Sequence, residues 1–374
     1  MARQLLLLFF STFFLLAKHA EAQDKWDGVG IESNFFAGKI FPHTPRFPKQ
    51  LPDMVKGYEL SAVFQTYGKK DWHARRKYPL VGFSFMLTDY GIDSVYGKCL
   101  SIYPSLQLPI LSYKNFEWTF KASFGLGYVT RPYERYPNFD TLNKAIGSGF
   151  NNFSLFATDI RYRVNQHIDI QAGGTFFHVS NAAFRTPNLG INTYGAHIGL
   201  RYFPTTSQPE RIQREVQPLK NRWLAQVRLG MAAKENHIPD GPMYPVYIVS
   251  AFASKRYMSR NKALIGLDYS YHSNMYAFLR TSEIEVGKEK ANSWKSAVIV
   301  GNEFLYGRMG VVLQLGFYLK NYYLAEDFFY QKLGGNFYII QQEKGLLKEL
   351  STSIMLKTHK FEAELVEVGI GAGF

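Results

Sequence analysis

The chain has 374 residues, a formal charge of +13, a single cysteine, 31 Phe and 25 Tyr. The lone Cys99 excludes an intrachain disulfide framework. Beyond the N-terminal leader no segment offers ~18 consecutive apolar residues, which excludes a transmembrane helix there. The leader itself carries Arg3, an apolar run over residues 5–17 and the small-x-small triplet Ala20, Glu21, Ala22. That pattern predicts a secretory signal peptide over residues 1–22, because the run is shorter than the ~20 residues a spanning helix needs. An exported chain of this size without disulfides needs another source of stability, and a large closed β-sheet supplies one.

The mature chain reads as strand after strand with period-two alternation. Eight segments precede Pro204: 29–41, 58–68, 78–87, 99–111, 116–130, 153–164, 168–180 and 191–203. Each is near the ~9–11 residues that cross a bilayer obliquely. A polar, charged connector follows over 204–221. Strands resume at 223–233, 244–254, 262–272, 294–306, 308–319, 329–340, 349–357 and 362–374. In the last of these Val366, Val368, Ile370 and Ala372 share one face and Phe374 ends the chain. A terminal amphipathic strand with a final aromatic resembles the C-terminal signature of bacterial outer-membrane barrels.

The expected fold is therefore all-β: a transmembrane antiparallel barrel of about sixteen strands, with 14 possible, an even count as in bacterial single-chain barrels. One continuous barrel is expected, with two 8-stranded units as the alternative. Turn lengths support the topology, since such barrels have short periplasmic turns and long outside loops. Connections at 112–115, 165–166, 259–261, 306–308 and 343–345 are short and fall on one side. Those at 42–57, 131–150, 181–190 and 273–292 are longer and fall on the other. Two segments break the rule on the short-turn side, the basic stretch 68–78 and the connector after Pro204. The many Phe and Tyr suit interfacial girdles. The positive charge of an exported chain points to anionic surface lipid, the phosphates of lipopolysaccharide, and not to nucleic acid.

Alternation also orients the residues that could carry chemistry. On 168–180 the even residues Ile168, Ile170, Ala172, Gly174 and Phe176 are apolar and small, so that face meets lipid. The odd residues Asp169 and Gln171, with His197 and Arg201 on the next strand, face the lumen. His178 and Ser180 continue the even, outward face, and Asn192 lies on the matching face of the next strand. Polar groups facing hydrocarbon are costly unless partnered or functional. A histidine two residues from a serine on a strand can take its hydroxyl proton and make it a nucleophile. Asn192 is the candidate third group that holds the other ring nitrogen.

The stretch "HVSNA", His178 to Ala182, followed by "PNLGIN", Pro187 to Asn192, resembles the lipid A 3-O-deacylases, or acyloxyacyl hydrolases, of the outer membrane. The resemblance covers about Asp27 to Phe203. It implies Ser180 as nucleophile, His178 as base, and the backbone amides of Asn181 and Ala183 as the oxyanion hole. The family's best-known members carry glutamate where this chain has Asn192, which can orient an imidazole but brings no charge. Residues 222–374 lie outside the family's minimal barrel.

The organisation expected is thus a signal peptide (1–22), a deacylase-like barrel half (23–203), a connector (204–221) and a C-terminal barrel half (222–374). The expected function is an outer-membrane serine esterase that removes an acyl chain from lipid A in the outer leaflet. It requires no cofactor and no metal, because a base stands beside the hydroxyl. The alternative is a non-catalytic barrel: a porin, a lipid transporter or an inactive relative. An open lumen would favour the alternative.

Overall fold

The computed structural model describes residues 26–134, 143–212, 223–235, 241–257, 260–322, 327–360 and 362–374. The expected signal peptide, residues 213–221 of the connector and residue 222 lie outside these. The N-terminal half contains β1 (Val29–Ile40), β2 (Val55–Gln65), β3 (Leu80–Asp89), β4 (Lys98–Tyr113), β5 (Phe116–Val129), β6 (Phe150–Arg163), β7 (Ile168–Ser180) and β8 (Ile191–Tyr202). The C-terminal half contains β9 (Trp223–Glu235), β10 (Met243–Tyr257), β11 (Asn261–His272), β12 (Trp294–Tyr306), β13 (Met309–Lys320), β14 (Phe329–Gln341), β15 (Glu349–His359) and β16 (Glu362–Gly373).

All sixteen strands are antiparallel to their neighbours, but they do not form one barrel. β8 turns back onto β1, in register from Ile31↔Tyr202 to Ile40↔Thr193. β16 closes on β9 from Val368↔Met231 to Gly373↔Gln226. Two closed eight-stranded barrels result, so the expectation of one continuous barrel is corrected in favour of its alternative. The reason lies in the side chains that point inward. An eight-stranded lumen is just wide enough for side chains to fill, whereas sixteen strands enclose water.

In the first lumen the Arg201 guanidinium bonds to Glu32 through Nε at 2.9 Å and through Nη2 as well. It also donates to Gln107 at 2.8 Å and to Gln171 at 3.2 Å. Lys121 lies 2.5 Å from Glu59 and 3.4 Å from Glu32. Asp169 and His197 face inward as expected, His197 meeting Asp159 at 2.6 Å. In the second lumen Lys332 sits between Asp268 at 2.6 Å and Glu367 at 2.8 Å, and Lys262 meets Glu349 at 2.7 Å. One internal cavity in each lumen measures about 10 Å³, room for a single water and not for a channel.

Outward residues are apolar: Phe35, Phe83, Ile102, Ile160 and Ile198 in one barrel, Leu229, Ile265, Leu313 and Ile370 in the other, are all exposed. Towards the long-loop end the first lumen becomes aromatic. Tyr103 stacks on Phe153 at 4.9 Å, Phe153 on Phe177 at 5.6 Å, and Phe36 meets Phe177 edge-on at 5.3 Å. The loop after β11 holds two short helices that its sequence did not announce, α2 (Ser273–Thr281) and α3 (Glu289–Asn292); α2 buries Met275 and Leu279.

The basic segment 68–78 has a structural role. It forms α1 (Asp71–Arg75), and Arg76 beyond it reaches the second barrel. The guanidinium donates to the carbonyls of Arg260 at 2.8 Å and Leu305 at 3.1 Å, and lies 4.4 Å from the Tyr306 ring centre. Arg260 answers by donating to the Arg75 carbonyl at 3.2 Å. The short-turn side is long here because it ties the barrels together.

Breaking a buried ion pair from one side leaves an uncompensated charge, at a cost of about 3–5 kcal/mol. Arg201→Ala is expected to destabilise the first barrel by about that amount, seen as a lower urea midpoint in lipid vesicles. Lys121 remains to Glu32, so the barrel still closes.

Candidate functional site

β7 carries the candidate pair to its outer end. Its exposure alternates as expected: Ile170 and Phe176 face out, and Asp169, Gln171, Phe177 and Val179 are buried inside. His178 follows Phe176 on the outer face. Phe177 and Val179, flanking it, are fully buried in the aromatic plug. The backbone beneath the pair is therefore pinned from within, while the side chains stand outside the barrel wall.

The strand pairing sets the contacts. His178 lies directly opposite Asn192 of β8 and opposite Ser154 of β6. Direct cross-strand partners have Cβ atoms ~5 Å apart, within reach of an imidazole and an amide. His178 Nδ1 donates to Asn192 Oδ1 at 2.6 Å. Its Nε2 then accepts from Ser180 Oγ at 2.8 Å. A carbonyl oxygen can only accept, so this contact places the ring proton on Nδ1 and leaves the Nε2 lone pair for the serine. The three residues expected from sequence are brought together in the expected order.

A fourth member was not foreseen. The Asn192 amide donates through Nδ2 to His43 Nδ1 at 2.8 Å. His43 lies in the loop after β1, which becomes a neighbour of Asn192 because the first barrel closes β1 on β8; Phe41 N–H bonds to the Asn192 carbonyl at 2.8 Å. The single-barrel reading hid this adjacency. Both ends of the Asn192 amide are thus engaged, and a lone asparagine gains a fixed orientation.

The loop between β7 and β8 roofs the serine, which is 4% exposed. Asn181 anchors the turn: its Nδ2 donates to Ser148 at 3.0 Å and to the Arg185 carbonyl at 2.9 Å. Its backbone N–H, the first expected oxyanion donor, bonds to Asn188 Oδ1 at 3.0 Å. Ala183, the second, has φ 64°, as Ala182 has φ 53°. Two non-glycine residues in the left-handed region are a local strain that the surrounding contacts must hold. Leu189 and Gly190 both donate to the Ala145 carbonyl at 2.9 Å, which lashes the loop to the one between β5 and β6. Around the rim, Tyr128, Phe150, Phe184 and Tyr194 are exposed. Among the described residues no cluster of His, Cys, Asp or Glu has a metal-binding arrangement.

The comparisons with known proteins fall on both barrels. Residues 56–201 match the family model for lipid A 3-O-deacylase (PagL). Residues 221–374 match the model for the acyloxyacyl hydrolase C-terminal domain. The chain belongs to the lipid A 3-O-deacylase family. It is accordingly a β-barrel protein of the bacterial outer membrane. The second barrel, outside the minimal family unit, has a family model of its own. Among solved structures, the outer membrane enzyme PagL is 14% identical over 45% of this chain and 97% of its own, with a TM-score of 0.32. Neisserial surface protein A is 11% identical over 47% of this chain and 97% of its own, at 0.33. A mutant Rh. blastica porin is 9% identical over 92% of this chain and 99% of its own, at 0.19. No curated protein matches the chain.

Gly190 is where the roof touches the imidazole of His178. It has φ +73°, and a Cβ there would lie 2.6 Å from His178 Cε1 and 3.3 Å from Ser180 Cβ. Gly190→Ala is expected to push the imidazole off the serine. The reaction of Ser180 with an alkyl fluorophosphonate should slow by ~10²-fold, with the folded, SDS-resistant form retained.

Proposed function

We propose that this protein is a serine esterase that cleaves an ester-linked acyl chain from lipid A, with Ser180 as nucleophile, His178 as general base and Asn192 as its orienter. The observation that carries the reading is the unbroken chain from Ser180 Oγ to His178 Nε2 at 2.8 Å and from His178 Nδ1 to Asn192 Oδ1 at 2.6 Å. It stands on the outer wall, where acyl chains already lie.

Ser180 Oγ attacks the ester carbonyl carbon as its proton passes to His178 Nε2. The carbonyl oxygen becomes an oxyanion. The tetrahedral intermediate then expels the sugar oxygen, which takes the proton from Nε2, and leaves the acyl group on Ser180. Water, deprotonated by the same nitrogen, releases the fatty acid and restores the serine. Donors aimed at the oxyanion stabilise it, and a single side-chain donor is worth roughly 10²–10³ in rate. The Asn181 and Ala183 amides are the candidates, the first exchanging Asn188 for the substrate oxygen. The lumens filled by paired side chains support this reading over a porin, since among the described residues neither encloses a channel.

Asn192 differs from glutamate in lacking a charge to balance the imidazolium. Its value lies in holding the Nδ1–H tautomer, and His43 holds Asn192 in turn. Ser180→Ala and His178→Ala are each expected to abolish deacylation by mass analysis of lipid A, with folding and insertion intact. Asn192→Ala should lower kcat ~10²-fold through misplacement of the imidazole, and His43→Ala should lower it less. Asn192→Asp keeps the size of the side chain and adds the charge, so its kcat should equal or exceed wild type. If Ser180→Ala leaves the same lipid A species as wild type, the esterase reading fails.

A further inference from the structure

Among the described residues, the second barrel reaches the site through Glu235. Glu235 ends β9, the first strand of the C-terminal barrel, and its side chain is 1% exposed. It does not turn into its own lumen network. Instead its carboxylate takes three bonds from the loop that roofs Ser180: from Thr186 N–H at 2.6 Å, Thr186 Oγ1 at 2.6 Å and Arg185 Nη1 at 3.0 Å. Short bonds to an ionised carboxylate are about twice as strong as neutral ones.

The contact continues to the chemistry without a gap. Arg185 N–H donates to Asn181 Oδ1 at 3.3 Å, and the Arg185 carbonyl accepts from Asn181 Nδ2 at 2.9 Å. Asn181 follows Ser180 directly and carries a candidate oxyanion donor, and the strained Ala182 and Ala183 come next. A turn with two left-handed alanines holds its shape only if both ends are fixed. The barrel wall fixes one end, through Ser180. Glu235 holds the far side of the turn at Arg185 and Thr186, ahead of the bonds that Leu189 and Gly190 give to Ala145.

We propose that Glu235 is a positioning residue for the Ser180 site: the C-terminal barrel clamps the loop that presents the oxyanion donors. The site is then assembled from both barrels, which gives the second one a part in the reaction although the proposed nucleophile and base stand on the first. This rests on the esterase reading above.

The test uses the full chain in detergent micelles. It combines steady-state kinetics on lipopolysaccharide with hydrogen exchange of the amides at 184–186, 188 and 189. Glu235→Ala is expected to fold, to lower kcat about 10- to 100-fold, as a displacement of ~1 Å can, and to leave KM nearly unchanged, because acyl binding to the wall is untouched. Exchange at Thr186 should rise. Glu235→Gln keeps an acceptor for Thr186 and should recover part of both losses. An unchanged kcat, a faster one, or an unchanged exchange rate in Glu235→Ala overturns the proposal. If wild type releases no fatty acid, or Ser180→Ala releases it equally fast, the esterase reading fails and the positioning claim with it. Raised exchange in Glu235→Ala would still show the clamp in that case, so the two failures are told apart.

Discussion

Inside hydrocarbon every backbone N–H and C=O must find a partner within the protein, and a sheet meets that demand only by closing on itself. The rest of this structure follows from where closure occurs. Each half closes at eight strands, so each lumen is narrow and its middle is filled by side chains, with cavities there of about 10 Å³. Charges directed inward must then pair, as Arg201 does with Glu32 and Lys332 with Asp268 and Glu367. A filled interior leaves no internal binding site for a lipid. Any chemistry on lipid has to take place on the outer wall.

A site on a wall has less to hold it than a site in a cleft. This one is supported from three directions. From within, Phe177 and Val179 anchor the strand beneath His178 in the aromatic plug. Along the wall, closure of β1 on β8 brings His43 to Asn192, so that the amide bonded to His178 is itself held. From the side, Glu235 of the second barrel holds the loop above Ser180. The barrels meet at their other end through Arg76, which lies on Tyr306 and binds two carbonyls. The contacts at Glu235 and at Arg76 thus lie at opposite ends of the barrels.

Much of this was legible in the sequence because strand alternation is a local signal. The sixteen strands, the outward placement of His178, Ser180 and Asn192, and the inward placement of Asp169, Gln171, His197 and Arg201 all follow from period two. What was not legible depends on pairing between distant segments. Nothing near Phe203 marks it as the end of a closed barrel, so closure onto β1 stands in the sequence only as the alternative, and nothing local points to His43. The basic stretch 68–78 looked misplaced because its partners, Arg260, Leu305 and Tyr306, belong to the other barrel. Glu235 is 49 residues from Thr186 and across a barrel boundary, and no local pattern distinguishes it from an ordinary strand-end carboxylate. The engaged N–H of Asn181 could not be foreseen either, because it depends on the path of the loop to Asn188.

The central claim is that the hydroxyl of Ser180, on the outer wall, is the group that attacks the lipid A ester. Titrating the protein with a long-chain alkyl fluorophosphonate tests it most directly, with peptide mass analysis to locate the adduct and lipid A mass analysis to follow turnover. The account predicts one adduct, on Ser180, and a loss of deacylation in proportion to its occupancy. Full deacylation with Ser180 fully modified, or a loss of activity that follows an adduct elsewhere, would contradict it.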